Sequence, residues 1–305
     1  MTWLIAIDWG TTSFRAYRIS EHGQVLDKRQ SASGILAVNE GRFSETLISQ
    51  ISDWLDMDPG AHVVMSGMIE SRQGWQEVDY VTGTPGLAEI TAGIGKTRLD
   101  NGRNVWIVPG CSCLNADGQP DVMRGEETQV MGAVSGDGGL QIFCLPGTHS
   151  KWVSVDNGRI SGFTTFMTGE VYDVLCQHSI LGKLMTDAGR NEGDAAIWFD
   201  DGVRKAKSGI SLLSGFFGVR ARALFSEIPE CYTKDYLSGL LIGTEIRDAY
   251  SNQDTEVTLI GSGHLMGLYS RAIQAFGGAA VLADEDLAAV GLYRIANQMK
   301  ADRLI

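Results

Sequence analysis

Residues 5–19 read IAIDWGTTSFRAYRI. The short apolar run at its start predicts a buried strand over 3–8. The apolar/polar alternation over 14–19 predicts its partner, with Gly10-Thr11-Thr12-Ser13 as the turn between them. Asp8 breaks the apolar run with a carboxylate. QVLDKRQ (24–30) is a candidate third strand. After Ser44 the period changes: Leu47, Ile48, Ile51, Trp54 and Leu55 recur at helical spacing. An amphipathic helix is therefore predicted over 45–56, with Ser44 as N-cap and Glu45 in the first turn. HVVMSG (62–67) and VWIVPG (105–110) read as buried strands, the second ended by Pro-Gly, and 122–134 reads as a helix.

The second half repeats the theme. LQIFCLPGTHSKWVSV (140–155) is strand, glycine turn, strand. Val171, Val174, Leu175 and His178 mark a helix stopped by Gly182. Residues 183–209 are polar and Gly-rich and predict loop with some helix. YLSGLLIGTEI (236–246) predicts a helix apolar on one side. EVTLIGSGHL (256–265) predicts a strand turning at glycines into a helix. Asp284 is placed as the cap of a last helix, 285–300. Alternating strands and helices without a Pro/Ser-rich linker predict an α/β chain of two domains sharing a tight junction.

Composition narrows the partners. The chain has 305 residues, 44% hydrophobic and 20% charged, with net charge −12. That balance argues against a nucleic acid or an anionic membrane as partner, because both need a basic face. A small anionic substrate stays open, since a site can be locally basic. Met1-Thr2-Trp3 lacks the charged start of a signal peptide, and no window of about 18 apolar residues predicts a membrane span. Five cysteines (Cys111, Cys113, Cys144, Cys176 and Cys231) without a CxxC pair suggest reduced thiols and a cytoplasmic protein. Cys111 and Cys113 with His149 or His178 match no zinc spacing.

An internal echo carries the chemistry. Gly10-Thr11-Thr12-Ser13 and Gly147-Thr148-His149-Ser150 each follow an apolar strand and precede an alternating one. Such turns present backbone N–H groups and hydroxyls outward and form anion-binding concavities. Taken singly, each reads as an ordinary solvated hairpin. Taken together with Asp8, which is suited to hold Mg²⁺, they point to a polyphosphate gripped from two sides. AGIGKT (92–97) only imitates a phosphate-binding loop, because Ile90 stands where the first glycine is required. GSGHLMG (261–267) has its third glycine one position late for a dinucleotide fingerprint. Gly261, Ser262 and Gly263 read instead as a strand-to-helix turn against which an adenosine can lie; an ordinary tight turn is the plain alternative.

Asp8, the paired Gly-Thr turns and a late strand–Gly-x-Gly–helix resemble the actin-like ATPase superfamily that includes hexokinases and glycerol kinase. More closely, IAIDWGTTSFRAY, MSGMIESRQGW, VMRGEETQ, LPGTHSKW, FMTGEVYDVL, HSILG and YLSGLLIGTEI resemble, in order, the strings of the 2-dehydro-3-deoxygalactonokinase family. The resemblance implies two actin-like (ribonuclease H-like) domains, 1–137 and 138–305, the final helix returning toward the junction. It implies ATP and Mg²⁺ as cofactors and phosphorylation of 2-dehydro-3-deoxy-D-galactonate to its 6-phosphate in galactonate catabolism. A homodimer is left open. The alternatives are a kinase for another keto-deoxy or hexose acid, or a non-catalytic nucleotide-binding regulator of the same fold.

Site roles follow from the same resemblance. The proton-accepting carboxylate falls in Arg124-Gly125-Glu126-Glu127-Thr128, where related kinases carry Asp. Glu127 is the first choice, Glu126 the reserve, and Glu170 in MTGE a third candidate. Adjacent acids there also suit a helix N-terminus. Gly10, Thr11, Thr12, Gly147, Thr148, Ser150 and Lys151 are the expected phosphate ligands, Lys151 having a solvent-facing alternative. Arg72, Gln73 and Trp75 are expected around the sugar acid, Arg being suited to a carboxylate by its planar fork. Arg124 is expected either to hold the substrate carboxylate or to orient the glutamates. His149 reads as structural, and Trp9 and Phe14 as packing residues.

Overall fold

The computed structural model describes residues 1–136, 138–250, 255–284 and 286–305. The chain divides into two compact units. The first comprises Met1–Leu140, Val153–Phe163 and Asp284–Ile305, the second Gln141–Trp152 and Thr164–Ala283. The sequence-based cut at 137 lies outside the described residues.

In the first unit the chain forms β1 (Thr2–Trp9), β2 (Phe14–Ser20), β3 (Val25–Ser31), α1 (Phe43–Met57), β4 (His62–Ser66), β5 (Val81–Thr82) and α2 (Leu87–Ala92). It continues with β6 (Gly95–Arg98), β7 (Asn104–Ile107), β8 (Cys111–Leu114), β9 (Pro120–Met123) and α3 (Glu126–Ala133). A six-stranded sheet runs β3-β2-β1-β4-β7-β6, and a small sheet runs β5-β8-β9. β1 pairs antiparallel with β2 and parallel with β4. Leu4, Ile5, Ala6 and Ile7 are wholly buried, so the apolar run at the start of the chain is a central strand covered on both faces. Leu47, Ile51 and Trp54 of α1 pack with Ile5, Ile7, Val63 and Ile107 in one core.

The second unit contributes β10 (Leu140–Leu145), β11 (Ser150–Asp156), β12 (Arg159–Phe166), α4 (Thr168–His178), α5 (Glu192–Lys207), α6 (Leu212–Leu224), α7 (Thr233–Ala249), β13 (Val257–Leu259), α8 (Gly263–Phe276) and β14 (Ala280–Leu282). The outer part of the β11–β12 hairpin counts with the first unit, as does the last helix, α9 (Leu287–Ala301). The sheet runs β12-β11-β10-β13-β14, the same order as β3-β2-β1-β4-β7 in the first. In both sheets the strand entering the glycine turn stands between its hairpin partner and a parallel strand.

Several sequence-based expectations are corrected. Ser44 is not an N-cap: α1 starts at Phe43, and the buried Ser44 hydroxyl accepts a bond from Asp100 N at 2.9 Å. Val122 and Met123 end β9, and the helix predicted over 122–134 starts only at Glu126, after Gly125 turns the chain at φ 100°. Residues 183–209 contain a full helix, α5, capped by Asn191, whose Oδ1 accepts from Asp194 N. Its Gly202 meets Gly239 of α7: a Cβ on Gly202 would fall 2.2 Å from Tyr236 O, and one on Gly239 2.0 Å from Phe199 O. Gly202 is thus a helix-packing contact, not a loop marker. α7 is buried on every side from Gly239 to Ile246 rather than on one, because α4, α5, α6 and α8 all pack on it. Asp286, not Asp284, holds the N-cap position of α9, and the expected start at 285 lies outside the described residues. Among the described residues no helix is long and apolar enough to cross a membrane.

Candidate active site

The first glycine turn is held by its carbonyls and open at its hydroxyls. Gly10 N donates to Ser13 O at 2.9 Å, and Ile35 N and Leu36 N donate to Gly10 O and Thr11 O. Thr11 and Thr12 are exposed. Trp9 packs edge-on against Phe14 and donates its indole N–H to Ser33 O, so both rings are packing residues. Asp8 is 7% exposed. It faces Arg15 across the ladder, and Arg15 Nη2 lies 2.8 Å from Asp8 Oδ2. Burial raises the Asp8 pKa, Arg15 opposes the rise and Glu126 adds to it. A buried carboxylate with a second carboxylate in electrostatic reach fits a divalent cation. Mg²⁺ commonly needs only one or two carboxylates beside water and phosphate oxygens. No group of three or more potential ligating side chains gathers among the described residues, the cysteines included.

The two adjacent glutamates have different surroundings. Gly125 N donates to Glu127 Oε2 at 2.7 Å, and Thr128 Oγ1 donates to Glu127 Oε1 at 2.9 Å. Glu127 is fully buried with both oxygens engaged, and burial, then Glu126, pushes its pKa up. Glu126 is half-buried at the first position of α3 and accepts from Arg124 N at 3.0 Å. Of the two, only Glu126 is partly exposed.

Glu70 is a functional candidate that sequence reasoning missed. It is wholly buried, and Arg124 Nη1 lies 3.4 Å from Oε1. Burial first and Glu127 second push its pKa up, against Arg124. Its only local sign is an acid directly after Met68-Ile69, in the turn that follows β4. Arg124 is committed to the loop that follows. Nε donates to Tyr80 OH (2.9 Å), Nη1 donates to Glu70 O (3.0 Å), and the guanidinium lies 4.0 Å from the Tyr80 ring centroid. It pins residues 70–80 to the start of α3. In that loop Arg72 is 86% exposed and bonded to Glu77, Gln73 is exposed, and Trp75 stacks on Phe43. Arg124→Lys should lose the fork and cost about 2–4 kcal/mol of stability. It should also raise the KM for the acceptor more than that for the nucleotide; unfolding midpoints and steady-state kinetics check both.

The buried acids also set a pH dependence. Glu70 and Glu127 both have folded-state pKa values above the ordinary 4.5, so the folded state binds more protons than the unfolded chain. Their contribution is complete below that value and is lost as pH rises through their folded-state titration. Denaturant midpoints should therefore fall from about pH 5 to about pH 9, and Glu70→Gln should flatten the fall.

The second turn is anchored differently. Ser150 is buried and its Oγ donates to Phe166 O at 3.4 Å. Lys151 is 5% exposed, so it does not lie on solvent, and its Nζ donates to His149 O. Thr148 and His149 are exposed. The start of α4 docks on the tip: Glu170 N donates to Thr148 O at 3.0 Å, and Glu170 pairs with His149. A Cβ on Gly169 would fall 2.4 Å from Gly147 O, which leaves room there only for glycine. Gly261, Ser262 and Gly263 form the exposed turn from β13 into α8, as expected. The structure sets this turn beside the second hairpin: a Cβ on Gly261 would fall 3.3 Å from Pro146 O.

Matching strand orders, a glycine-hydroxyl turn in each unit and a carboxylate before the first define an actin-like ATPase fold of the sugar-kinase type. An activator of 2-hydroxyisocaproyl-CoA dehydratase from Clostridium difficile, solved with bound ADPNP, shares that fold (TM-score 0.51, 13% identity, 100% of this chain and 98% of that one). The 2-keto-3-deoxy-galactonokinase family model matches residues 8–295, and the chain belongs to that family. The chain is 38% identical over 278 residues to a Rhizobium meliloti (strain 1021) protein assigned as 2-dehydro-3-deoxygalactonokinase DgoK1, covering 89% of each. It is 35% identical over 276 residues to the 2-dehydro-3-deoxygalactonokinase of Escherichia coli (strain K12), covering 90% of each. A Sinorhizobium meliloti crystal structure assigned to the same kinase matches with TM-score 0.84 and 32% identity, over 99% of this chain and 100% of that one. Membership makes the chain a phosphotransferase with an alcohol group as acceptor.

Proposed function

We propose that the chain transfers the γ-phosphoryl group of ATP to the 6-hydroxyl of 2-dehydro-3-deoxy-D-galactonate, with Glu126 taking the hydroxyl proton, and so serves galactonate catabolism. The observation that carries the assignment of the base is the contrast at the start of α3. Glu127 has both oxygens bonded and no exposure, whereas Glu126 is half-buried and within electrostatic reach of Asp8. This reverses the order in which the two were ranked from sequence. Glu127 becomes the brace that shapes the Gly125 turn.

Phosphoryl transfer asks for positioning and charge neutralisation more than covalent chemistry. Each glycine turn, with Thr11 and Thr12 at the first and Gly147 and Thr148 at the second, is suited to supply hydroxyls and N–H groups to phosphate oxygens. Lys151 and Ser150 support the second turn from beneath. Asp8 would hold Mg²⁺, which would supply charge neutralisation at the phosphates. Arg72 and Gln73, on the loop pinned by Arg124, take the acceptor's carboxylate; Arg72 exchanges Glu77 for the substrate. As the acceptor oxygen bonds to the γ-phosphorus, the bond from that phosphorus to the bridging oxygen breaks, ADP leaves, and the proton passes to Glu126.

Coupled ADP release with purified protein over a panel of aldonates and keto-deoxy acids tests the reading. The highest kcat/KM is expected for 2-dehydro-3-deoxy-D-galactonate. A higher value for another acid replaces the substrate; no acid-stimulated release on the whole panel removes the kinase reading.

A further inference from the structure

The second unit holds a buried carboxylate to which the chemistry above gives no role. Glu245 on α7 is 2% exposed. Its Oε1 accepts from Trp152 Nε1 at 2.8 Å and its Oε2 from Tyr269 OH at 2.7 Å. Burial raises its pKa, while the hydroxyls of Thr168 and Ser150 oppose the rise together with Tyr269 and Trp152. Trp152 is the second residue past the Gly147–Ser150 turn, on β11. Tyr269 is the sixth past Gly263, on α8. Thr168 opens α4, whose Gly169 and Glu170 lie against the turn. One carboxylate thus ties together the elements that leave or support two turns.

An apolar side chain would fill this space without the cost of desolvating an acid, so packing alone does not explain a glutamate. A carboxylate with directed bonds does something an apolar residue cannot. It holds Trp152 in one orientation and keeps β11 in register, and a slip of one residue would turn the side chains of the strand to the other face. It locks the first turns of α8 to the same strand through Tyr269.

We propose that Glu245 is a positioning residue for the nucleotide: it holds the Gly147–Ser150 turn and the Gly261–Gly263 turn at a constant separation. The inference rests on the reading that these two turns contact ATP. Its test is binding of MgATP to the full-length protein by calorimetry, with the acceptor's KM measured at saturating ATP. Glu245→Ala should weaken MgATP binding by about tenfold or more, the loss expected when bonds to a charged group go. The acceptor's KM should stay within about twofold. Glu245→Gln should restore nucleotide binding to within about threefold, because the amide oxygen accepts from Trp152 and its N–H donates to the Tyr269 hydroxyl. Should Glu245→Ala not fold, Tyr269→Phe removes one bond and keeps the ring, and a loss confined to the nucleotide is again expected. Wild-type MgATP binding in both Glu245→Ala and Tyr269→Phe overturns the proposal. So does an equal loss for nucleotide and acceptor, the mark of general destabilisation. Thr148→Val, which leaves the Glu245 bonds intact, separates the two levels. If it weakens MgATP while Glu245→Ala does not, only the positioning role falls. If it too binds MgATP normally, the reading of the turn falls and takes the proposal with it.

Discussion

Glu126→Gln should lower kcat by about 10²–10⁴-fold, the range that a positioned general base supplies. MgATP affinity should stay within about twofold, because the amide keeps the size and one acceptor oxygen of the side chain. The bond from Arg124 N to Oε2 can pass to the amide oxygen, so α3 should start where it does now. The companion variant decides between the two acids. Glu127→Gln keeps an acceptor for Gly125 N and, lying fully buried, should cost turnover far less. Rapid-quench turnover on both variants measures the contrast directly. Loss of turnover in Glu127→Gln with activity retained in Glu126→Gln would return the base to the buried position and undo the assignment.

Asp8→Asn should be nearly as damaging, by a different route. Asp8 is buried and paired with Arg15. Removing the charge leaves Arg15 without its partner, but the Arg15 side chain is 40% exposed and hydrates readily. The stability cost should therefore be small and the functional cost large. A fall in kcat/KM of about 10²-fold or more is expected from losing one electrostatic contact to the reacting phosphates. The diagnostic is the dependence on free Mg²⁺: the concentration for half-activation should rise in Asp8→Asn and not in Glu126→Gln. An unchanged Mg²⁺ requirement would leave Asp8 as a structural partner of Arg15 alone.

The parts of the fold that were legible are those in which local pattern and tertiary burial agree. β1, β4 and β7 read as buried strands because each is an apolar run, and each lies within a sheet. α1 was legible because one face packs on a single sheet, which is what a 3.6-residue period encodes. α5 was not, although Asn191 with Asp194 announces a cap and Ala195, Phe199, Val203 and Ala206 keep the period. Gly202 interrupts the pattern, and only the close approach of α7 explains why it is there. Ser44 had the composition of a cap, but its hydroxyl is spent on Asp100, a partner 56 residues away.

The site divides in the same way. Residue types, order and spacing along the chain were enough to bring out the glycine-hydroxyl turns, Asp8, the acidic pair at the start of α3 and the family to which the whole belongs, because turn chemistry and motif strings are local. Three things required the folded chain. It separated Glu126 from Glu127, neighbours in sequence whose exposure differs because α3 turns one carboxylate inward. It revealed Glu70 beside Arg124, since two positions 54 residues apart have no local sign of contact. It also joined Glu245 to Trp152 and Tyr269. A side chain's charge state and freedom depend on what surrounds it in space, and that surrounding comes from packing between distant segments, which no one-dimensional pattern records.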